Sequence, residues 1–408
     1  MGSIYIVVIR SFAQRPLATD YLKFYESIQL WLSGQNIYTP VSVSGFSHLV
    51  DGSALPLDVL HANLNPPFFS LLLAPLSFFE FGVSFQIWSL LGVVAGIVAA
   101  WHIPQSLGHT SLSTRLLAVA LLLAYYPTVT TVILGQTTLP LLGLTYLLWK
   151  FARTDRELSA GIVLGLAISI KLYMGIFALL FLFQHRWRIL LWSAVIFMAA
   201  QGVSLAVFGV ETFQLYLDQF GNISWYGANW NASFLGVTTR LFGDATGSLL
   251  MDRPGLASPI YFILSGLSIG LWGWLTVRAK GVKSERSTLG FDLSFSLAVV
   301  LMCLVAPLGW IYYFVLLLIP LCVIWQACEV LGKTHLRPAL MIAWILSSVP
   351  SLLLQPDEMK RIHILFPSGL YFFALIIFAM LLAVLLHKIG DKAMPPQPLP
   401  RIDGRALP

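Results

Sequence analysis

Of the chain's 408 residues 58% are hydrophobic and only 10% charged, against roughly 25% charged in soluble domains. Composition therefore excludes a soluble globular domain and describes an all-α polytopic membrane protein, with membrane lipids among its partners. The net charge of +6 belongs to basic loops that fix orientation in a bilayer, so nucleic acid is not an expected partner.

Ile4 to Ile9 is apolar but stops at Arg10, well short of the roughly 20 residues a crossing needs. It reads either as a short bent helix or as the end of a longer one, and it lacks the cleavage site of a signal peptide. A polar segment, 10–65, follows as a first outward loop. Within it Tyr21, Phe24, Tyr25, Ile28, Trp31 and Leu32 fall at helical spacing. Asp20 stands at the N-cap position and Gly34 where a helix stops. From Pro66 to Ile103 the chain is too long for one crossing, and Glu80-Phe81-Gly82 divides it into a short helix and a full span. Later spans are predicted over 112–133, 138–151, 159–171, 173–184, 189–209, 259–277, 288–306, 310–330, 338–354 and 368–387. The two flanking Lys171 are too short to cross comfortably and are expected as broken helices packed in protein. Alternating sides puts most of the 24 Lys and Arg on one face, the cytoplasmic one. More than half of the 18 acids fall on the other, in 10–65, a second outward loop over 210–258, and 355–368. The tail, 388–408, is Pro-rich, charged and expected to be disordered in the cytoplasm. Cys303, Cys322 and Cys328 lie in apolar runs and support neither a disulfide framework nor a metal cluster.

Asp20 has two compatible readings, a helix N-cap and a general base at the membrane surface. With Arg15 near and no acid before Glu26, it is expected to be ionised. Lys171, in Ala-Ile-Ser-Ile-Lys-Leu-Tyr-Met-Gly, either snorkels at a helix end or meets a phosphate, since an ammonium within a span is costly without a partner. Gly135-Gln136-Thr137-Thr138 interrupts an outward helix junction and reads alone as a capped turn. Arg240, after Asn229-Trp230-Asn231-Ala232-Ser233, either clamps a phosphate or bonds a helix end. Pro307 to Tyr313, with Trp310, Tyr312 and Tyr313, reads as an aromatic belt or a sugar-stacking platform. His61, Asn63 and Asn65 are polar groups at a helix entrance and make no metal site.

In order and spacing these pieces resemble glycosyltransferase family 87, polytopic enzymes of the GT-C superfamily that use polyprenyl-phosphate sugars, mainly mannose. The pattern is carried by Asp20, Tyr21, Tyr25, Gly34 and Tyr38, and by Pro66, Pro67 and Pro75. Trp88, Gly135-Gln136, Ala160-Gly161 through Lys171-Leu-Tyr173, and Arg186-Trp-Arg188 continue it, with Asn231-Ala-Ser233 and Pro307 to Tyr313. Met174 stands where the family's lysine motif has proline, and the first helix is curtailed. The resemblance implies a GT-C domain over 1–387 with about 11 to 12 crossings and an outward-facing catalytic loop in the plasma membrane. It makes Asp20 the catalytic carboxylate and Lys171 a contact to the carrier phosphate. Gln136, Tyr25, Asn231, Trp310 and Tyr313 join them as substrate-binding candidates, and Arg240 is added from its own chemistry.

The expected reaction moves a sugar from polyprenyl phosphate to a hydroxyl of a glycan or glycolipid acceptor, without a cofactor or a metal. A phosphate ester is already a weak base as leaving group, so one carboxylate suffices, unlike the pair of glycoside hydrolases. The competing readings are a lipid or polysaccharide transporter or flippase, and a non-catalytic subunit that binds a lipid-linked sugar. Transport should tolerate Asp20→Asn, whereas transfer should not.

Overall fold

A computed structural model describes residues 2–15, 19–39, 63–221, 223, 226–228, 230–243, 253–280, 286–350 and 366–390. Asp51, Asp58, His61, Asn222, Asn229 and the tail beyond Gly390 lie outside the described residues. Among the described residues the structure is helical, with no strand beyond one isolated bridge, Asn231 to Trp310. Six helices are long and apolar enough to cross a membrane, and a bent pair makes a seventh. The remaining apolar helices are short or broken.

Helix α1 spans Gly2–Ala13 and continues through Arg10, and α2 spans Tyr21–Leu32, ending at Gly34 with φ +82°. The Pro-led α3, Pro67–Leu73, passes through a 3-10 turn, Ala74–Phe78, before the full span α4, Phe81–Ser106. The predicted crossing at 112–133 is two helices, α5 (Leu112–Ala124) and α6 (Tyr126–Leu134), bent by 58° where Pro127 enters the first turn of α6. Proline there fits an N-terminus but cannot continue the preceding helix. Helix α7 is Thr138–Arg153, and α8, Glu157–Ile170, stops at Lys171. A 3-10 turn, Leu172–Gly175, leads into α9, Ile176–Phe183. The 14 residues of α8 rise about 21 Å, short of the ~30 Å hydrocarbon core. Its break is thus backbone at membrane depth, which is tolerated where it lines a cavity.

Helix α8 packs on α10, Trp187–Phe208, through Gly161 and Gly165, a small-xxx-small pair that lets the backbones touch. A Cβ on Gly161 would meet Trp192 Cβ at 2.6 Å, and one on Gly165 would meet the Ser193 carbonyl oxygen at 2.7 Å. Gly165→Leu is therefore expected to cost about 1–3 kcal/mol by overpacking, read as a lower thermal unfolding midpoint in detergent.

The interfacial α11, Val210–Gly221, and the short α12, Phe234–Phe242, precede the spans α13, Ala257–Lys280, and α14, Arg286–Val305. A 3-10 segment, Ile311–Leu317, opens α15, Leu318–Val330, and α16 (Arg337–Ser347) and α17 (Phe366–Gly390) complete the bundle. Because α17 runs to Gly390, residues 388–390 are helical.

Charged connectors gather at one end of the bundle. Buried Asp292 accepts bonds from Arg153 Nε, at 3.0 and 3.1 Å, and from Trp149 Nε1, at 2.8 Å. Arg186 binds Glu157 and Asp155, each at 3.0 Å. These pairs close the ends of α7, α8 and α9. The other ends of α7, α8 and α14 surround a cavity.

Candidate active site

The cavity holds about 780 Å³ and is lined by α2, the α6–α7 and α8–α9 junctions, α11, Ile223, Tyr226, Ala228 and Trp230, and the segment 305–313. Its walls are largely apolar. Among its described lining residues only Asp20, Lys23 and Lys171 carry charge. Asp20, Gln136, Lys171, Trp310 and Tyr313, remote in sequence, all line this one space.

Asp20 occupies the N-cap position of α2, but its backbone is helical (φ −72°, ψ −18°) and its side chain makes no cap bond. The N-cap reading is corrected: the carboxylate turns to the cavity instead. Lys23 Nζ donates to its Oδ1 at 2.6 Å, and Gln136 Nε2 to its Oδ2 at 2.7 Å. The side chain is 26% exposed. Burial pushes the carboxyl up, yet the Lys23 ammonium, Gln136 and the more distant Lys171 outweigh it and hold it below the usual carboxylate range. Asp20 is thus an anion at neutral pH, as its surroundings in sequence implied, although its partner is Lys23 rather than Arg15.

Gln136 reaches Asp20 because of the residue before it. Gly135 adopts φ +65°, and a Cβ there would lie 2.6 Å from Tyr21 Cβ. Only glycine combines that left-handed turn with so close an approach. Trp88 Nε1 donates to the Gly135 carbonyl at 2.8 Å, and Tyr21 bonds Ser84 Oγ at 2.7 Å. The junction that reads alone as a capped turn is the mount of the carboxylate.

Lys171 caps α8 with extended backbone (φ −147°, ψ 115°) and is 9% exposed. Among the described residues no hydrogen bond or ion pair engages its ammonium, although it feels the charges of Asp20 and Lys23. Beside it stands an aromatic wall: Tyr173 packs on Tyr313 with ring centroids 4.5 Å apart, Tyr313 on Tyr312 at 4.8 Å, and Tyr312 on Trp310 at 6.4 Å. Buried polar atoms of the lining also lack partners among the described residues: Gln136 Oε1, Asn65 Oδ1, Tyr173 Oη and Tyr216 Oη. Such atoms are costly unless a ligand or water satisfies them, and together they fit a polyhydroxylated guest.

Three predicted site residues do not line the cavity. Tyr25 donates to the Phe79 carbonyl at 3.0 Å and packs edge-on against Phe81, fixing the start of α4. Arg240 is buried and donates to the Ala228 carbonyl at 2.9 Å, bracing the loop of which Tyr226 and Ala228 line the cavity. Its acceptors Gly227 and Ala228 lie in a loop, so the observed contact is neither the helix end nor the phosphate of the two readings. Asn231 spends its full hydrogen-bonding capacity on backbone. Its Nδ2 donates to the carbonyls of Tyr226 (2.9 Å) and Pro307 (2.8 Å), and its Oδ1 accepts from the amides of Ser233 (3.1 Å) and Gly309 (2.8 Å). It clasps Tyr226 and Ser233 to the Pro307–Gly309 turn that leads into Trp310, Tyr312 and Tyr313 of the aromatic wall. Asn231→Asp turns two donated bonds into oxygen–oxygen contacts, so it should lower stability by about 2–3 kcal/mol, no less than Asn231→Ala. Tolerance of aspartate in thermal unfolding and transfer assays would refute the clasp.

Sequence reading missed Lys23, whose spacing to Asp20 resembles an ordinary pair on an exposed helix face. It also passed over Tyr216 and Phe220 of α11 as cavity lining. The amphipathic pattern of α11 was the available signal.

The sequence model of glycosyltransferase family 87 matches residues 63–307. The chain is 28% identical over 329 residues, 74% of its length and 75% of the relative's, to the polyprenol-phosphate-mannose-dependent alpha-(1-2)-phosphatidylinositol pentamannoside mannosyltransferase of Mycolicibacterium smegmatis. To the protein of the same description from Mycobacterium tuberculosis it is 26% identical over 231 residues, 55% of this chain and 52% of the relative. No solved structure matches the chain.

Proposed function

From the premise that this chain belongs to glycosyltransferase family 87, we propose that its cavity transfers mannose from polyprenyl phosphate to a hydroxyl of a glycolipid or glycan acceptor. The observation that carries this reading is one carboxylate, Asp20, sharing a single apolar cavity with a buried ammonium, Lys171, that has no partner among the described residues. Asp20 takes the proton of the acceptor hydroxyl, whose oxygen attacks the anomeric carbon. The bond from that carbon to the phosphate oxygen breaks, and its electron pair leaves with the phosphate. Lys171 balances the charge that grows there, in a setting where water is too sparse to do so. Tyr173, Tyr312, Tyr313 and Trp310 offer ring faces and hydroxyls to the sugar. Leu172, Ile176 and Leu179 of the α8–α9 break, with Ile269 of α13, offer apolar surface to the isoprenoid.

The cavity lies at the end of the bundle away from Arg153, Arg186 and Lys280. The rule that basic loops stay cytoplasmic supports an outward-facing site in the plasma membrane. A transporter would hold its charges on a path through the bilayer midplane. Here the basic connectors are closed by their own acids, which favours transfer.

The test is transfer itself. Purified protein is incubated with radiolabelled polyprenyl-phosphate mannose and mannosylated phosphatidylinositol lipids, and label is followed into the lipid fraction. Label moving to a larger glycolipid is the expected result. Label that remains on the donor with every lipid and glycan acceptor supplied would reject the reading.

A further inference from the structure

The cavity contains more positive charge than its carboxylate balances. Asp20 contributes one negative charge, and Lys23 and Lys171 two positive ones, in walls that screen poorly. The surplus is one cation. A sugar phosphodiester carries one negative charge, so its entry makes the site neutral. After transfer the phosphate leaves as a dianion while Asp20 holds the acceptor's proton, and the site is neutral again.

Both oxygens of the carboxylate, however, already accept hydrogen bonds. Lys23 Nζ stands 2.6 Å from Oδ1 and Gln136 Nε2 stands 2.7 Å from Oδ2. An oxygen held by an ammonium is a weak base, and an incoming hydroxyl must compete with it. Of the groups around Asp20, Gln136 is fixed by the Gly135 turn and is 6% exposed, and Lys171 is set at the helix break. Lys23 differs. It is 18% exposed on the first turn of α2, lines the same cavity, and carries a flexible four-carbon stem.

Resting on the reading that a lipid phosphate binds here, we propose that Lys23 is a shared counterion: it pairs with Asp20 Oδ1, as seen here, and exchanges to the donor's phosphate, freeing Oδ1 to accept the acceptor's proton. Donor binding thereby activates the base. Asp20 stays a poor base until a phosphate is present, which keeps the carboxylate from reacting unproductively, and the two lysines flank the phosphate as its charge grows. Only the proton moves to Oδ1; no other bond of Asp20 changes.

The exchange is read from a structure of the full-length wild type with farnesyl phosphate, which supplies the lipid phosphate and cannot turn over. Lys23 Nζ within hydrogen-bond distance of the phosphate and withdrawn from Asp20 is the expected result. Phosphate bound at Lys171 with Lys23 still on Asp20 overturns the exchange while leaving the transferase reading intact. Farnesyl phosphate that fails to enter the cavity overturns both. In solution, Lys23→Met should bind farnesyl phosphate about tenfold more weakly than wild type, with farnesol unaffected and Lys23→Arg restoring most of the loss. The acid limb of kcat/KM should also move to higher pH in Lys23→Met. The groups that then face Asp20 are Gln136, Lys171, Tyr312 and Tyr313, and none replaces the lost ion pair. A limb that moves without any change in farnesyl phosphate affinity would mean that Lys23 only positions Asp20, and would overturn the exchange.

Discussion

Asp20→Asn is expected to lower the rate of sugar transfer by about 10²–10⁴-fold, the usual contribution of a general base, while the protein folds and still binds its lipid phosphate. The substitution keeps shape and one acceptor oxygen, so Gln136 or Lys23 still finds a partner there. What it removes is the capacity to take a proton. The pH dependence follows with a definite sign. The carboxyl is held below its ordinary range by Lys23, Gln136 and Lys171, so the base is ionised at neutral pH. Activity measured as kcat/KM is then lost only as pH falls through that depressed value, below the ordinary carboxylate range. Stability follows the same direction: the ion pair's contribution is present above the unfolded pKa and is lost on acidification. Full transfer by Asp20→Asn would remove Asp20 from the chemistry.

Lys171→Met is expected to separate stability from function. The ammonium is 9% exposed and has no ion-pair partner among the described residues. Burying such a charge is unfavourable, and replacing it with a flexible apolar side chain of similar length removes that cost. The variant should therefore unfold at a higher temperature than wild type when no donor is present. Its kcat/KM for the lipid-linked donor should nevertheless fall about 10- to 100-fold, the worth of a charge-assisted contact to phosphate. Thermal unfolding in detergent and donor-dependent transfer rates measure the two halves. A variant less stable than wild type and unchanged in donor kinetics would assign Lys171 a structural role instead.

The residues that sequence reading brought to the site and those it misplaced differ in a physical way. Asp20, Gln136 and Lys171 stood out because each interrupts an apolar or periodic pattern, and a polar group at a helix break in a membrane protein has few other uses. Two of the breaks were legible from length and from Gly, since 173–184 is too short to cross and Gly135 ends α6; the break at Pro127 was missed, because the apolar run 112–133 continues through it. Asn231 and Arg240 misled because a polar side chain in or beside a loop can serve either a ligand or the loop's own carbonyls, and spacing does not tell these apart. The close approaches of Gly236 to the Asn231 carbonyl and of Gly309 to Ser233 show how tightly that region is built. Such packing leaves backbone groups that need a side-chain partner. Tyr25 failed for another reason. Half-buried, it borders the stripe of α2 that carries Tyr21 and Phe24, but that stripe faces the start of α4 as well as the cavity, and periodicity alone does not divide the two. Lys23 was invisible because its pairing depends on Asp20 adopting helical backbone instead of a capping conformation.

Entry of a lipid phosphate into this cavity is read out by photo-crosslinking with a polyprenyl phosphate that carries a photoreactive group on its first isoprene units. Peptide mapping should place the label on Leu172–Leu179 and on the part of α13 around Ile269, and Lys171→Met should diminish it. Label at the opposite end of the bundle, around Arg153, Arg186 and Lys280, or label indifferent to Lys171, would contradict the account.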